Sequence, residues 1–302
     1  MTSSNPVRSV LVTGAGGNLG RKLIAHLLTQ DWCERVVALD RAAPSFTAPS
    51  PAAPADKVQW VEADLSDPVD ARWPEALIGI DAAVHFAARN PYPDASWSDA
   101  CASLDMTLAV LAAARRASVK RVVFASSNHV MGQYKDPPLA ETLVPGSLTT
   151  ALPPGPGTRW FDGRRMVQGV AYAASKLMGE RACLAEAQQS DRGLTAVCVR
   201  IGWCQPGENR PDTINTSGLP GEETTSGPDT ERDLRWFRGM WLSNRDFAAV
   251  MERALLAEAG PWPQPGIVVN GMSGNRDMPW DIETTRRLIG YEPRDDIRDH
   301  VG

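Results

Sequence analysis

The hydrophobic positions of this 302-residue chain follow two alternating patterns. Short, nearly continuous apolar runs, typical of strands buried on both faces, alternate with longer segments in which apolar residues recur at helical spacing. The predicted strands are 9–13, 35–39, 58–63, 82–87, 121–127, 194–202 and 267–270, and the predicted helices are 18–30, 98–117, 172–189 and 244–258. This alternation predicts an α/β fold of the Rossmann type, with a doubly wound parallel sheet covered by helices on both faces.

Segments rich in proline, glycine and polar residues interrupt the alternation at 42–56, 136–168, 205–234 and 260–266. The Ala/Pro/Ser composition of 42–56 predicts a mobile surface loop. The stretch 205–234 is predicted to be too hydrophilic to contribute to a core. We predict a single domain, 1–302, with a dinucleotide-binding core at about 7–202, a small C-terminal substrate-binding region at about 203–302, and a loop insertion near 207–234.

Composition narrows the classes of partner. A net charge of −5 gives no reason to expect nucleic acid, and 43% hydrophobic residues suffice for a substantial core. No apolar stretch is long enough to span a bilayer and the N-terminal residues lack a leader's apolar run, so we expect a cytoplasmic protein with no membrane partner. Five cysteines without a C-x-x-C pair favour free thiols, and no cluster has metal-ligand spacing, so no metal is expected.

A glycine motif directly follows the first predicted strand and opens the first predicted helix. Gly14 allows the tight turn, Gly17 lets the backbone approach a pyrophosphate, and Gly20 lets the helix pack closely on the strand. The N–H groups at the start of that helix favour a bound phosphate. The context, more than the spacing alone, predicts a dinucleotide site.

Acidic residues after the next two strands extend this site. Asp40 ends the second predicted strand twenty residues after Gly20, where a carboxylate would accept hydrogen bonds from the adenosine ribose hydroxyls. That charge would repel a 2′-phosphate, which favours NAD over NADP, although the neighbouring Arg41 leaves NADP open. Asp64, after the third predicted strand, is a candidate contact for the adenine ring.

A tyrosine and a lysine lie one helical turn apart in the predicted helix that follows the fifth strand. Tyr172 and Lys176 would share a helix face that borders the carboxyl edge of the sheet. A lysine cation one turn away stabilises a phenolate, and so lowers the pKa of a tyrosine that must act as a base. A serine of the Ser126-Ser127 pair could then hydrogen-bond the substrate oxygen. Coincidence of composition is the alternative for a motif this short.

At these residues the chain resembles the extended short-chain dehydrogenase/reductases of the NAD-dependent epimerase/dehydratase family. The strings "VFASSNHVMGQY", "VRIGWCQP", "MWLSNRDFAAVM" and "GYEPRDD" are most similar to the uronate dehydrogenases, which oxidise C1 of a hexuronic acid with NAD to a lactone. The resemblance runs from about residue 8 to 298, outside the loop at 42–56 and the insertion. It implies NAD as cofactor, an acidic sugar as substrate, and a homo-oligomer, dimeric or higher.

The resemblance also assigns residues. Ser127 would be the catalytic serine beside Tyr172 and Lys176, and Asn128 and His129 would contact the sugar, although His129 could instead be a solvated loop residue. The predicted cofactor contacts are Gly14, Gly16, Gly17, Asn18, Leu19, Gly20, Asp40, Arg41, Asp64, Leu65, Phe86, Ala87, Ala88, Tyr172 and Lys176. The predicted substrate contacts are Ser127, Asn128, His129, Arg89, Trp203, Arg235 and Arg238.

This chain departs from the uronate dehydrogenase pattern at the sugar-binding end. Trp203 stands where those enzymes tend to have a small serine. The arginine that grips the sugar carboxylate falls near the insertion, so that Arg238, then Arg235, and more remotely Arg210 are the candidates. A dehydrogenase for another anionic sugar, such as a sulfonated hexose, stays open. So do a sugar or sugar-nucleotide epimerase or dehydratase on the same fold, and a non-catalytic dinucleotide sensor.

Overall fold

The computed structural model describes residues 7–42, 57–161, 165–216 and 229–300. Its strands are β1 (Ser9–Thr13), β2 (Arg35–Asp40), β3 (Val58–Glu62), β4 (Ala82–His85), β5 (Arg121–Ser127), β6 (Arg159–Phe161), β7 (Met166–Gln168), β8 (Thr195–Ile201) and β9 (Gly266–Gly271). Its α-helices are α1 (Asn18–Leu27), α2 (Arg72–Glu75), α3 (Trp97–Arg116), α4 (Val170–Gln189), α5 (Thr230–Gly239), α6 (Asn244–Leu256) and α7 (Glu283–Ile289).

Within these residues seven strands form one sheet in the order β3-β2-β1-β4-β5-β8-β9. Every neighbouring pair in this sheet is parallel. The strand order reverses direction between β1 and β4, which places a crevice at their carboxyl ends, where doubly wound proteins bind ligands. The predicted Rossmann-type parallel sheet is confirmed.

The two faces of the sheet are buried under separate layers of helices. Alternate residues of β1 point to opposite faces, so Val10 and Val12 pack with residues of α1 and α6, whereas Leu11 packs with residues of α3 and α4. A third apolar cluster is rich in tryptophan and joins residues of the C-terminal region, among them Trp236, Trp241 and Trp280, to residues between 130 and 167, among them Trp160. None of the described helices is long and apolar enough to cross a membrane.

The breaker-rich segments contain more structure than the sequence suggested. Strands β6 and β7 pair as an antiparallel hairpin inside 136–168, where no strand was predicted. The prediction that 205–234 is too hydrophilic for a core is wrong for its described parts: Ile214 is buried, and α5, which begins at Thr230, buries Asp233. Polar residues enter this core because they are hydrogen-bonded, as Asn209 is to the Leu242 carbonyl at 2.6 Å. Residues 43–56 of the predicted loop at 42–56 lie outside the described residues, and so does the middle of the insertion, 217–228.

Candidate active site

A cavity of about 860 Å³ lies at the carboxyl edge of the sheet. At one end it is lined by the turn between β1 and α1, and at the other by residues that follow β5 and β8 and by the start of α4. Its volume falls in the upper part of the range of known ligand pockets. One cavity therefore joins the predicted dinucleotide site to the predicted reaction site.

In the glycine turn between β1 and α1, backbone segments approach each other so closely that a side chain would not fit between them. Gly14 has φ +67°, a conformation that favours glycine, and a Cβ there would lie 2.8 Å from the Ala87 nitrogen. A Cβ on Gly20 would lie 2.3 Å from the Gly14 oxygen. Gly17 caps α1 without a side chain, and no acidic residue occupies the first turn. The N–H groups at the start of α1 can therefore receive a phosphate, and this glycine cradle fits a dinucleotide.

The carboxylate at the end of β2 is held in place by backbone N–H groups. One oxygen of Asp40 accepts from the Gly16 N–H at 2.9 Å, and the other accepts from the Arg41 N–H at 2.7 Å. Asp40 and Arg41 line the cavity, but Gly16 does not. Gly16, a predicted cofactor contact, thus orients Asp40 through its N–H and is not itself among the lining residues.

The predicted adenine end contains Asp64 and Leu65, which both line the cavity. The Ser66 hydroxyl and N–H donate to one Asp64 oxygen at 2.6 and 2.8 Å, and these hydrogen bonds lower the pKa of Asp64 below its usual range. Asp64 is therefore ionised at neutral pH and can accept hydrogen bonds from a ligand. The predicted cofactor contacts Phe86, Ala87 and Ala88, which follow β4, also line the cavity.

The reaction centre brings together three predicted residues. Tyr172 and Lys176 occupy successive turns of α4, and the Lys176 Nζ lies 5.7 Å from the centre of the Tyr172 ring and donates to the Ala125 carbonyl at 2.7 Å. Burial raises the pKa of Tyr172, and its hydrogen bond with Ser127 acts in the opposite direction. Burial lowers the pKa of Lys176 to about 8. The lysine is thus mainly a cation at neutral pH, next to the phenol whose anion it would stabilise.

The two residues after Ser127 leave hydrogen-bonding capacity unused beside the cavity. Asn128 donates to the Ile201 carbonyl at 3.0 Å, while its own Oδ1 is buried and has no hydrogen-bond partner among the described residues. The His129 ring lies edge-on to Tyr172 at 5.7 Å, and its buried Nδ1 also has no partner there. Burial lowers the pKa of His129 to about 4, so the ring is neutral at physiological pH. The alternative that His129 is a solvated loop residue is wrong, since it is 8% exposed.

The far end of the cavity is apolar where a guanidinium was expected. Trp203, Phe237 and Met240 line it, and the Trp203 and Phe237 rings meet edge to face at 5.3 Å. Arg235 is exposed and paired with Glu231 at 3.0 Å, on the side of α5 opposite to the buried Phe237. Arg238 does not line the cavity either. The structure therefore argues against Arg235 as the partner of the substrate's anion, whereas the assignment to Arg238, whose buried Nε has no hydrogen-bond partner among the described residues, stays a prediction.

Other guanidinium groups lie at the cavity. Arg89, predicted as a substrate contact, lines it after β4, and Arg165, which was not predicted, lines it from the hairpin of β6 and β7. Arg210 is exposed, pairs with Asp212 and does not line the cavity. Asp162-Gly163, between two short apolar-containing runs, is a hairpin signal in the sequence and could have drawn attention to Arg165. The hairpin also contributes Trp160 and Val167 to the lining.

The fold and this cavity define a dinucleotide-binding protein of the doubly wound class. The chain matches the profile of the NAD dependent epimerase/dehydratase family over residues 10–204. It is 31% identical over 292 residues to L-arabinose 1-dehydrogenase (NAD(P)(+)) of Haloferax volcanii, which covers 95% of this chain and 96% of that relative. The chain belongs to this family, and NAD is its cofactor.

Two further similarities concern uronate dehydrogenases. The uronate dehydrogenase of Pseudomonas syringae pv. tomato is 28% identical over 298 residues, covering 97% of this chain and 84% of that enzyme. A solved structure described as mutated uronate dehydrogenase superposes with a TM-score of 0.66 at 26% identity, over 97% of this chain and 84% of that one. The predicted resemblance to the extended short-chain dehydrogenase/reductases is confirmed at the level of the family.

Proposed function

We propose that this protein is an NAD-dependent dehydrogenase that oxidises C1 of a free acidic sugar, of the hexuronic acid type, to the lactone. The observation that carries the proposal is the location of Tyr172, Lys176 and Ser127 in the same cavity as the glycine turn. A base, a cation that stabilises its anion, and a hydroxyl donor meet within reach of a dinucleotide bound along that turn.

In the proposed reaction the Tyr172 phenolate takes the proton of the C1 hydroxyl group. NAD+, when held along the glycine turn of Gly14, Gly17 and Gly20, would supply the hydride acceptor, so that C1 would lose a hydride and its hydroxyl group a proton to Tyr172. The Ser127 hydroxyl donates to the C1 oxygen and orients the substrate. The Lys176 ammonium, fixed by the Ala125 carbonyl, stabilises the phenolate before the transfer.

Two arginines support an anionic substrate. Arg89 and Arg165 both line the cavity, and a guanidinium is the side-chain group best suited to a carboxylate or sulfonate, which it binds through two parallel hydrogen bonds. The similarity to proteins named uronate dehydrogenases favours a carboxylate as the anionic group of the substrate. We place the anionic group of the sugar on the Arg89 and Arg165 side, in place of Arg238 and Arg235.

A neutral aldose is the second candidate substrate, because of one specific observation. Trp203, Phe237 and Met240 form an uncharged wall, which suits a sugar whose ring carries hydrogen or an uncharged carbon at that end. The relative at 31% identity is named for a neutral pentose. The two candidates share the chemistry at C1 and differ only in what the far end of the cavity accepts.

Substrate assays with NAD test the proposal directly. Glucuronate, galacturonate, a 6-sulfo sugar, L-arabinose and glucose should be compared by the absorbance of reduced nicotinamide, and we expect an acidic sugar to give the highest kcat/KM. Tyr172→Phe should bind NAD as the parent does and lose activity by about 10²-fold or more. Reduction of NAD by none of these sugars would contradict the proposal, and NAD retained without net reduction would favour an epimerase.

Arginine variants test the location of the anion. Arg165→Gln should reduce the preference for an acidic sugar over glucose, since it removes a guanidinium from the cavity lining. Arg235→Gln is the matched control, because Arg235 is exposed on the far side of α5. Equal selectivity in the parent and Arg165→Gln, with a loss in Arg235→Gln, would show that the anion binds elsewhere.

A further inference from the structure

We propose that Glu180, Arg200 and Ser126 form a positioning element that sets the register of α4 on the sheet and thereby holds Tyr172 against Ser127. The proposal rests on the function proposed above for Tyr172 as the base. Ser126 lines the cavity with its hydroxyl bonded to Glu180, whereas Glu180 and Arg200 do not line it: they are 1% and 2% exposed and lie within the fold. They would act on the reaction only through the side chains that they orient.

The geometry joins three elements at a single carboxylate. Both oxygens of Glu180 on α4 accept from the Arg200 guanidinium on β8, from Nε at 2.8 Å and from Nη2 at 2.9 Å. The Ser126 hydroxyl on β5 donates to the same carboxylate at 2.5 Å. A two-pronged guanidinium contact fixes direction as well as distance, so α4 is held in one orientation against two neighbouring strands.

The position of this carboxylate on α4 relates it to the reaction centre. Tyr172, Lys176 and Glu180 follow one another at intervals of four residues, which places them on one face of the helix in successive turns. On β5 the residue after Ser126 is Ser127, which hydrogen-bonds Tyr172. The carboxylate and the phenol therefore contact adjacent residues of the same strand from the same helix face, so a shift of α4 at Glu180 would move the phenol relative to Ser127.

The other contacts between α4 and β5 bring the two elements close but fix the register less firmly. Gly179 packs directly on the Phe124 ring, because a Cβ there would lie 2.4 Å from Phe124 Cζ. The Lys176 ammonium donates to the Ala125 carbonyl. A ring face and a single flexible lysine tolerate sliding better than a guanidinium held at two atoms does. A buried ion pair contributes little to net stability. A role in fixing one arrangement of α4 on the sheet therefore explains the Glu180–Arg200 pair better than stability does.

The double variant Glu180→Met/Arg200→Met removes both charges, leaves no unpaired ion, and is expected to fold, since apolar replacements of a buried ion pair are often neutral for stability. We expect kcat to fall by about 10²-fold, the usual effect of an ångström-scale misplacement, with an unchanged Kd for NAD. The acidic limb of the pH profile, below which the base is protonated, should move to higher pH, because a phenol displaced from Ser127 loses the hydrogen bond that lowers its pKa. Ser126→Ala, which keeps the ion pair, should show the same changes to a smaller degree.

A measurement without turnover keeps this test separate from the proposed function. The phenolate absorbance of Tyr172, taken as the difference between each protein and its Tyr172→Phe counterpart, should appear at higher pH in the double variant. Arg121→Met is the matched control: Arg121 is a buried arginine at the other end of β5 with neutral acceptors, so its loss should lower Tm and leave kcat and the phenol titration unchanged.

These measurements distinguish a failure of the positioning role from a failure of the proposed function. A double variant that keeps the parent's kcat, pH profile and phenol titration would overturn the positioning role. If the double variant fails to fold, an unchanged Ser126→Ala would overturn it in the same way. If the parent oxidises no sugar but the phenol titration shifts as expected, the proposed function fails and the positioning role stands.

Discussion

Replacing Lys176 by methionine should make the cofactor-free protein more stable. Lys176 is 8% exposed, and burial lowers the pKa of its ammonium from 10.5 to about 8. At about 1.36 kcal/mol per pH unit, folding disfavours the cation by about 3 kcal/mol at neutral pH. Lys176→Met removes that cost but leaves the Ala125 carbonyl without its donor, a loss of about 1–2 kcal/mol. We expect a net gain of about 1–2 kcal/mol, together with nearly complete loss of activity.

The gain has a characteristic pH dependence. Because the folded pKa of Lys176 lies below the unfolded value, the penalty is fully present below pH 8. It disappears as the pH rises from 8 toward 10.5, since the folded protein then contains the neutral amine. The parent should therefore gain stability relative to Lys176→Met across this window, and the advantage of the variant should shrink between pH 7 and pH 10.

Urea denaturation without NAD, at pH 7 and near pH 9.5, measures both quantities. Lys57→Met is the matched control, because the Lys57 ammonium also donates to main-chain carbonyls, of Leu28 and Gln30, but is only partly buried. That control should lose a little stability at both pH values. A Lys176→Met variant that is less stable than the parent at pH 7, or whose difference from the parent does not change with pH, would refute the reasoning.

Three further variants test the cofactor and substrate ends of the cavity. Asp40→Asn should raise kcat/KM for NADP relative to NAD, because it removes the charge that would repel a 2′-phosphate; a parent that already prefers NADP would implicate Arg41 instead. Gly20→Ala should abolish NAD binding in a fluorescence titration, since its Cβ would lie 2.3 Å from the Gly14 oxygen; a parental Kd would show that the turn can yield. Trp203→Ser should raise turnover of hexuronates relative to L-arabinose by enlarging the far end of the cavity, and an unchanged ratio would remove Trp203 from specificity.

The parallel sheet could be predicted because its signal is local. The buried strand 121–127 is a continuous run of apolar and small residues that ends in two serines, and the structure places β5 at the same bounds. The glycine turn was equally local, since Gly14, Gly17 and Gly20 must lie between a strand and a helix to bind a phosphate. The chemistry of such a turn depends on backbone conformation, which the residue types themselves restrict.

The helix α5 could not be predicted in this way. Residues around 230 are strongly polar, and only contact with the tryptophan cluster shows which of them are buried. Asp233 illustrates the point: it lies in the core because Lys135, from a distant segment, donates to it at 2.6 Å. A partner almost a hundred residues away leaves no periodic trace in the sequence. The orientation of α5, which leaves Arg235 exposed and paired with Glu231, follows from such contacts.

The two ends of the cavity therefore differ in how firmly sequence determines them. The cofactor end is formed by short motifs at the carboxyl ends of consecutive strands, where register alone brings them together. The sugar end is assembled from segments that have no common element: Arg89, the hairpin with Arg165, Trp203, and the inward face of α5. A change in packing of any one of these segments can alter the far wall without disturbing Tyr172 or Lys176. The same C1 chemistry can thus be retained while the accepted sugar changes. Because an apolar wall and two arginines occur in one cavity, substrate assays must compare charged and neutral sugars.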